Sequence, residues 1–384
     1  MKRRNGNKDF LLIAFIVPGK IARPTGGSIY DKRLADHLRE RGARVEVVSV
    51  PDLSYFTGAL VSPLLALWLA LRIAGRGYDL IIEDGWGHPS FFLFNIAFRF
   101  ASKSRFVIIV HQLRWVERKR GIRIAAIIER CALRSGHLIV TVSRFMCGEI
   151  ASLIGANPRI LVVSPGSDLC LEHRREADTP AASPDVRLLF VGNCARRKGL
   201  HLLIRALSQA DCHGLTLDVV GDYDFEPRYY EELRREVALL GSAQTVKFHG
   251  RVSNETLRSF YARADIFVMP SLYEGFGMVY AEAMRAGLPI IALDTGPVPE
   301  IVQAGENGLL VPLAPEESLP FTLARAICKL ATDVDMRARF SRRSIEIAKQ
   351  LPSWKEACEI IYRNLLSLIE SESDFTGRLP EGSR

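Results

Sequence analysis

Glu274-Gly275-Phe276-Gly277-Met278-Val279-Tyr280-Ala281-Glu282-Ala283-Met284-Arg285-Ala286-Gly287-Leu288-Pro289 is the stretch from which the fold is read. An apolar run, Asp265-Ile266-Phe267-Val268-Met269-Pro270, precedes it and reads as a buried strand; Ile290-Ile291-Ala292-Leu293 follows as the next. Gly287 and Pro289 end the helix between them, because glycine suits the helix-terminating position and proline cannot continue the helix. Strand, glycine turn, short helix and strand make one βαβ unit. The turn Gly275-Phe276-Gly277 lets the backbone approach a ligand and leaves N–H groups free at the helix start, a natural anion site. Glu274 precedes the turn, and Glu282 inside the helix leans back toward its N-terminus. Two carboxylates are thus expected beside an anion-binding backbone.

At 384 residues the chain holds two domains, each large enough for its own core, and its composition of 48% apolar and 24% charged residues is that of a globular protein. Cys131, Cys147, Cys170, Cys194, Cys212, Cys328 and Cys358 form no CxxC pair and no ligand spacing with histidine. That pattern speaks for reduced thiols in a cytosolic setting and against a zinc site or a disulfide framework. The basic start is followed by only eight apolar residues, Phe10 to Val17, with no small-residue cleavage site, so a first strand is expected there and not a signal peptide. Residues 1–170 hold 25 Lys and Arg against 13 Asp and Glu, and the remainder 26 against 30. A basic first half suits an anionic target such as phospholipid headgroups or a phosphorylated acceptor; a merely solvated excess is the alternative.

Along the chain, strands and helices alternate. The first strand leads through Gly26-Gly27 into a helix capped by Gly42, and Arg44–Val50 is the second strand. The loop between them is not a GxGxxG fingerprint, and no acid stands where a dinucleotide site needs one, which excludes a dinucleotide-dependent oxidoreductase. Thr57 to Ala74 is strongly apolar but interrupted by Pro63 and falls short of the ~20 residues of a spanning helix. A buried helix is expected, with partial insertion into a membrane interface as its functional alternative. Strands at 80–83 and 106–110 deliver Asp84-Gly85-Trp86-Gly87-His88 and His111-Gln112 to the carboxyl edge of the sheet, where ligands bind. Arg114, Trp115, Arg118, Lys119 and Arg120 form the densest basic run and suit docking to a phospholipid surface or a lipid-linked acceptor. A glycine loop with consecutive cations, Gly192-Asn193-Cys194-Ala195-Arg196-Arg197-Lys198-Gly199, opens the second half at a helix start and reads as a diphosphate site. No internal repeat or nucleic-acid motif is present.

The Glu274-to-Glu282 spacing with Gly-Phe-Gly inside it and Ala-x-x-x-Gly-x-Pro-Ile-Ile after it resembles the donor-site motif of the retaining glycosyltransferases of family 4, the group 1 glycosyl transferases of GT-B fold. The resemblance covers nearly the whole chain and is strongest from Phe190 to Val311. It implies two Rossmann-like domains facing across a cleft: an acceptor domain at 1–172, a linker at 173–185 and a nucleotide-sugar domain at 186–350. A helix at 351–370 would cross back to the first domain, and 371–384 would form a frayed tail. It implies transfer of a sugar from a nucleotide-diphosphate sugar to an acceptor hydroxyl with retention, without metal or cofactor, the acceptor being lipid-linked or a growing glycan. In that scheme Lys198 neutralises the departing diphosphate and Glu274 holds the sugar or stabilises positive charge on it. His111 orients the sugar, and Glu282 grips the ribose. Gly26 and Gly27 approach the diphosphate, as do Gly275, Phe276, Gly277, Met278 and Val279, while Gly250, Arg251 and Val252 hold the base. The family's usual arginine after the first glycine is Asn193 here, so either Arg196 or Arg197 supplies that charge. The rival reading is a catalytically silent GT-B protein that binds a membrane or partner, for which Asn193 is the one mark in favour.

Overall fold

The structure is a computed structural model that describes residues 10–19, 21, 25–73, 75–101, 103–114, 123–155, 159–167, 185–240 and 244–370. The chain divides into two compact units, Met1–Gly166 with Ser353–Arg384, and Ser167–Pro352. The segment expected as linker, Asp185 apart, and the tail at 371–384 lie outside the described residues.

Unit 1 alternates β1 (Leu12–Pro18), α1 (Gly26–Glu40), β2 (Arg44–Val50), α2 (Tyr55–Ile73), β3 (Leu80–Asp84), α3 (His88–Ala101), β4 (Arg105–Val110), α4 (Arg123–Ser135), β5 (Leu138–Thr141), α5 (Arg144–Ile154) and β6 (Ile160–Val162). The sheet is parallel in the order β2-β1-β3-β4-β5-β6, with Phe15 paired to Val47 on one side and Ile82 on the other. Ile13 to Val17, Leu80 to Ile82 and Phe106 to Val110 are buried, as the middle strands of a sheet covered on both faces must be. Ser143 caps α5 by accepting from the Met146 amide, the role its position predicts.

Unit 2 runs β7 (Val186–Val191), α6 (Leu200–Ser208), β8 (Leu215–Val220), α7 (Pro227–Ala238), β9 (Gln244–Gly250), α8 (Asn254–Arg263), β10 (Ile266–Met269), α9 (Met278–Arg285), β11 (Ile290–Asp294), α10 (Val298–Ile301), β12 (Gly308–Pro312), α11 (Leu319–Thr332) and α12 (Val334–Ala348). Its parallel sheet has the order β12-β11-β10-β7-β8-β9. The last helix, α13 (Trp354–Glu370), belongs to unit 1 and packs on α1. Trp354 meets the Tyr30 ring edge-on at 5.7 Å, and His37 Nε2 lies 3.2 Å from Glu359 Oε2. At Gly166 a side chain would run into the Trp354 backbone at 2.2 Å, so only glycine lets the helix start there.

Two expectations are corrected. Helix α2 is not buried: Phe56, Leu60, Leu64, Leu67 and Leu71 face solvent, and only its opposite side, with Ser62, Leu69 and Ile73, is covered. Apolarity alone does not tell a helix with one covered face from one covered all round. Cys212 and Cys328 form a disulfide across a separation of 116 residues, against the expectation of reduced thiols throughout. Their distance in sequence hid a pairing that folding creates, by carrying α11 back to the start of β8.

Candidate active site

In unit 2 the winding of the sheet reverses between β7 and β10, and open parallel sheets bind ligands at such a switch point, outside the strand ends. The two loops there are 192–199 and 270–277. Lys198 Nζ donates to Glu274 Oε1 at 2.5 Å, Ser271 Oγ donates to the same oxygen at 2.7 Å, and Arg197 Nη1 stands 3.9 Å from Oε2. Burial works to raise the Glu274 carboxyl, but Lys198 and Arg197 outweigh it and hold the group below the usual carboxylate range. Burial pulls the Lys198 ammonium below the ordinary lysine value, with Glu274 opposing.

Glycines bring these loops together. Gly199 has φ +71°, and a Cβ there would sit 2.0 Å from the Pro270 carbonyl oxygen. The Leu272 amide donates to the Arg197 carbonyl at 2.8 Å, a backbone bond from loop to loop. Of the two cations left open by the sequence, Arg197 faces Glu274 and donates to the Tyr273 carbonyl at 3.3 Å. Arg196 turns outward to Glu232, at 3.2 Å. Asn193 clamps the loop, its Oδ1 accepting from the Asp222 amide at 3.4 Å.

Helix α9 starts at Met278 behind Gly277, which has φ +92° and offers no side-chain cap. Its macrodipole and first-turn amides therefore favour an anion there. Gly275 and Phe276 are buried, while Met278 and Val279 are half-buried. On the second turn Glu282 accepts from the Tyr261 hydroxyl at 2.8 Å, and burial pushes its carboxyl up to about 6, that hydrogen bond opposing. The two glutamates thus have separate partners: one is held ionised by cations, the other is poised to titrate. Gly250 ends β9 with φ +65° against Tyr223, whose ring stacks on Tyr230 at 4.8 Å. Arg251 is exposed and Val252 half-buried beside it.

In unit 1 the sheet reverses between β1 and β3, and α1, β3 and β4 converge there. Thr25 caps α1, and a Cβ on Gly27 would meet the His111 ring at 2.9 Å; Gly26 precedes it, exposed. His111 Nε2 bonds Asp31 Oδ1 at 2.9 Å, and Tyr30 meets the imidazole edge-on at 5.2 Å. Asp84, at the end of β3, completes a cluster whose ligand atoms lie within 4.8 Å of one another, close enough for a cation. Burial and the neighbouring Asp31 push Asp84 up to about 7. Burial works to lower His111, but Asp31 and Asp84 prevail and raise it above the ordinary histidine value.

Sequence reasoning did not single out Asp31, Ser271 or Tyr261. Asp31 carried a signal, standing one helical turn from Gly27 on α1; Tyr261 carried none, since its hydrogen bond joins two helices. Arg114 is half-buried with its guanidinium 4.1 Å over the Trp86 ring, and its amide bonds Glu129. Trp115, Arg118, Lys119 and Arg120 lie outside the described residues.

Two parallel α/β domains, the second with paired cations and carboxylates at a switch point beside an uncapped helix start, make a doubly wound protein with a site suited to an anion. Comparison with known proteins agrees. The family described as "Glycosyl transferases group 1" matches residues 185–333, and "Glycosyl transferase 4-like domain" matches residues 21–166. The chain belongs to the group 1 glycosyltransferases of family 4 type. It is 35% identical over 179 residues to a D-inositol 3-phosphate glycosyltransferase of Jonesia denitrificans, covering 43% of this chain and 42% of that protein. The chain spans about half the length of the curated relatives it matches. Its fold is shared with sucrose-phosphate synthase of Thermosynechococcus elongatus, at a TM-score of 0.78 and 22% identity over 94% of this chain and 100% of that one. Anabaena HepE, solved with UDP and glucose, gives 0.71 and 21% over 93% and 100%.

Proposed function

We propose that the chain is a retaining glycosyltransferase that moves a sugar from a nucleotide-diphosphate sugar to an acceptor hydroxyl, without a metal ion. The observation that carries this reading is the Lys198–Arg197–Glu274 constellation beside the uncapped start of α9. The main demand of the reaction is to stabilise charge developing on the departing diphosphate. Preorganised cations and helix amides meet it with little reorganisation. In the ground state Lys198 is bound to Glu274, and a diphosphate arriving at the loop shares that cation.

Glu274 is ionised and its oxygens face donors, which suits it to steady positive charge on the sugar and makes it a poor nucleophile. That supports substitution on one face over a covalent intermediate. Glu282 accepts from the ribose hydroxyls, and His111 offers a sugar hydroxyl a hydrogen-bonding partner in unit 1. A lipid-linked or growing surface glycan as acceptor, met at the inner face of a membrane in the cytoplasm, fits the basic first half. Since HepE was solved with UDP and with UDP-glucose, uridine donors come first in any panel.

The test is thermal shift and slow hydrolysis with a panel of nucleotide-diphosphate sugars in the presence of a chelator, wild type beside Lys198→Ala and Glu282→Ala. One donor should stabilise the wild type and neither variant, and the released sugar should keep its anomeric configuration. No shift with any donor would leave the silent binding protein as the better reading.

A further inference from the structure

Helix α2 carries an exposed apolar stripe. Phe56, Leu60, Leu64, Leu67 and Leu71 are 59%, 81%, 72%, 60% and 74% exposed. Their spacing of three and four residues places them on one side of the helix, along about 22 Å. The other side is fixed along its length: Gly58 lies against Ser90 of α3, and Ser62, Leu69 and Ile73 are buried. A single exposed leucine needs no explanation, but a contiguous stripe of five large apolar side chains marks an interaction surface.

Helix α4 adds exposed apolar side chains of its own. Ala59 of α2 packs against Ala125 and Ile128, and on the outer side of α4 Ile124 and Ile127 are 62% and 60% exposed. Helix α2 contains no Asp, Glu or Lys and a single Arg, Arg72. Glu46, the acid near its C-terminal end, is paired with Arg76 at 2.8 Å and Arg72 at 3.7 Å. Arg130 stands exposed one turn beyond Ile127. Trp68, 43% exposed beside the stripe, is of the residue type that settles at the boundary between headgroups and acyl chains.

We infer that the outer faces of α2 and α4 form a surface that inserts into an anionic lipid bilayer, with α2 lying in the plane of the interface. The expectation that this stretch is too short to span is corrected: by length and composition Phe56–Ile73 passes for a membrane span, with a mean hydropathy of 1.7 over 18 residues. Spanning would strip Leu69 and Ile73 from the core of unit 1, so the helix stays flat and only its exposed side enters the lipid. A second copy of this chain is the weaker occupant, because the half of the sequence carrying the patch has 25 cationic against 13 anionic residues and repels its like. The same excess attracts phosphatidylglycerol-type headgroups. The inference specifies the membrane part of the proposed function but rests on its own observations, so the two fail separately.

The test is flotation of the full chain with phosphatidylcholine vesicles with and without phosphatidylglycerol, wild type beside a Leu60→Gln, Leu64→Gln, Leu67→Gln variant. All three positions are exposed, so thermal unfolding and the donor-induced shift should be those of the wild type. Wild type should float with the anionic vesicles, less so at high salt, and the variant should bind at least about tenfold more weakly. In a second measurement that needs no leucine substitution, made on a chain carrying Trp115→Phe, brominated acyl chains should quench tryptophan fluorescence, and adding Trp68→Phe should leave it largely unquenched. Equal flotation of variant and wild type would overturn the inference. So would no binding to either vesicle, vesicle binding without quenching at Trp68, or a wild-type dimer that the leucine variant converts to monomer without change in lipid binding. A lost donor shift with intact flotation would instead count against the proposed chemistry alone.

Discussion

Glu282 carries a carboxyl whose ionisation is set by its surroundings, and its sign has two consequences. Burial raises it to about 6, above the 4.5 of an exposed carboxylate, so the folded chain holds this proton at a pH where the unfolded chain has lost it. Stability therefore falls as pH rises from 4.5 through about 6 and is level above that. Glu282→Gln keeps an acceptor for Tyr261 and removes the charge. It should be more stable than wild type by about 2 kcal/mol at neutral pH and equal to it in acid, as urea unfolding at several pH values would show. In the proposed reading binding has the opposite sense, because ribose hydroxyls would donate to the carboxylate. Donor affinity of the wild type should fall up to about tenfold per pH unit below the Glu282 value, while Glu282→Gln should bind weakly without that dependence. Calorimetric titration across the range measures both. Glu282 was readable from its spacing to Glu274 and the helix between them, whereas Tyr261 became its partner through the packing of α8 near α9.

Helix α9 depends on one backbone conformation at its start. Gly277 has φ +92°, and a Cβ there would stand 2.5 Å from the Tyr280 ring, whose hydroxyl is anchored to the Met269 carbonyl at 2.8 Å. Gly277→Ala should therefore cost roughly 1–3 kcal/mol in chemical denaturation through the strained φ alone. It should also weaken donor binding, since the first-turn amides shift with the helix start. The glycine-turn-helix pattern was plain in the sequence because φ > 0 and a helix stop leave compositional marks. Helix α2 shows the opposite case: its apolarity was evident, but one face is covered by α3 and the other is open, and no local pattern records which neighbours a helix finds.

The two units each have a complete parallel sheet and core, yet unit 1 is built from the first 166 residues and the last helix. Trp354 is buried against Tyr30, and Cys358, Ile361 and Leu365 are buried on the same helix. A chain ending at Pro352 should thus lose stability in unit 1 and keep that of unit 2. Differential scanning calorimetry should show the transition of unit 1 lowered or lost, with the donor-sensitive transition in place. An equal fall of both transitions would mean that the units do not unfold as separate cores.

Strand–helix alternation, the glycine turns, the cation loop and the paired glutamates were all readable in the linear order of residues. Each rests on local rules of periodicity, positive φ and charge within a few residues. Arg197 over Arg196 as the cation facing Glu274, Asp31 and Asp84 around His111, and the Cys212–Cys328 bond were settled only by folding. So was the open face of α2. These depend on contacts between residues distant in sequence, or on which way a side chain leaves a turn, and the winding of the two sheets sets both.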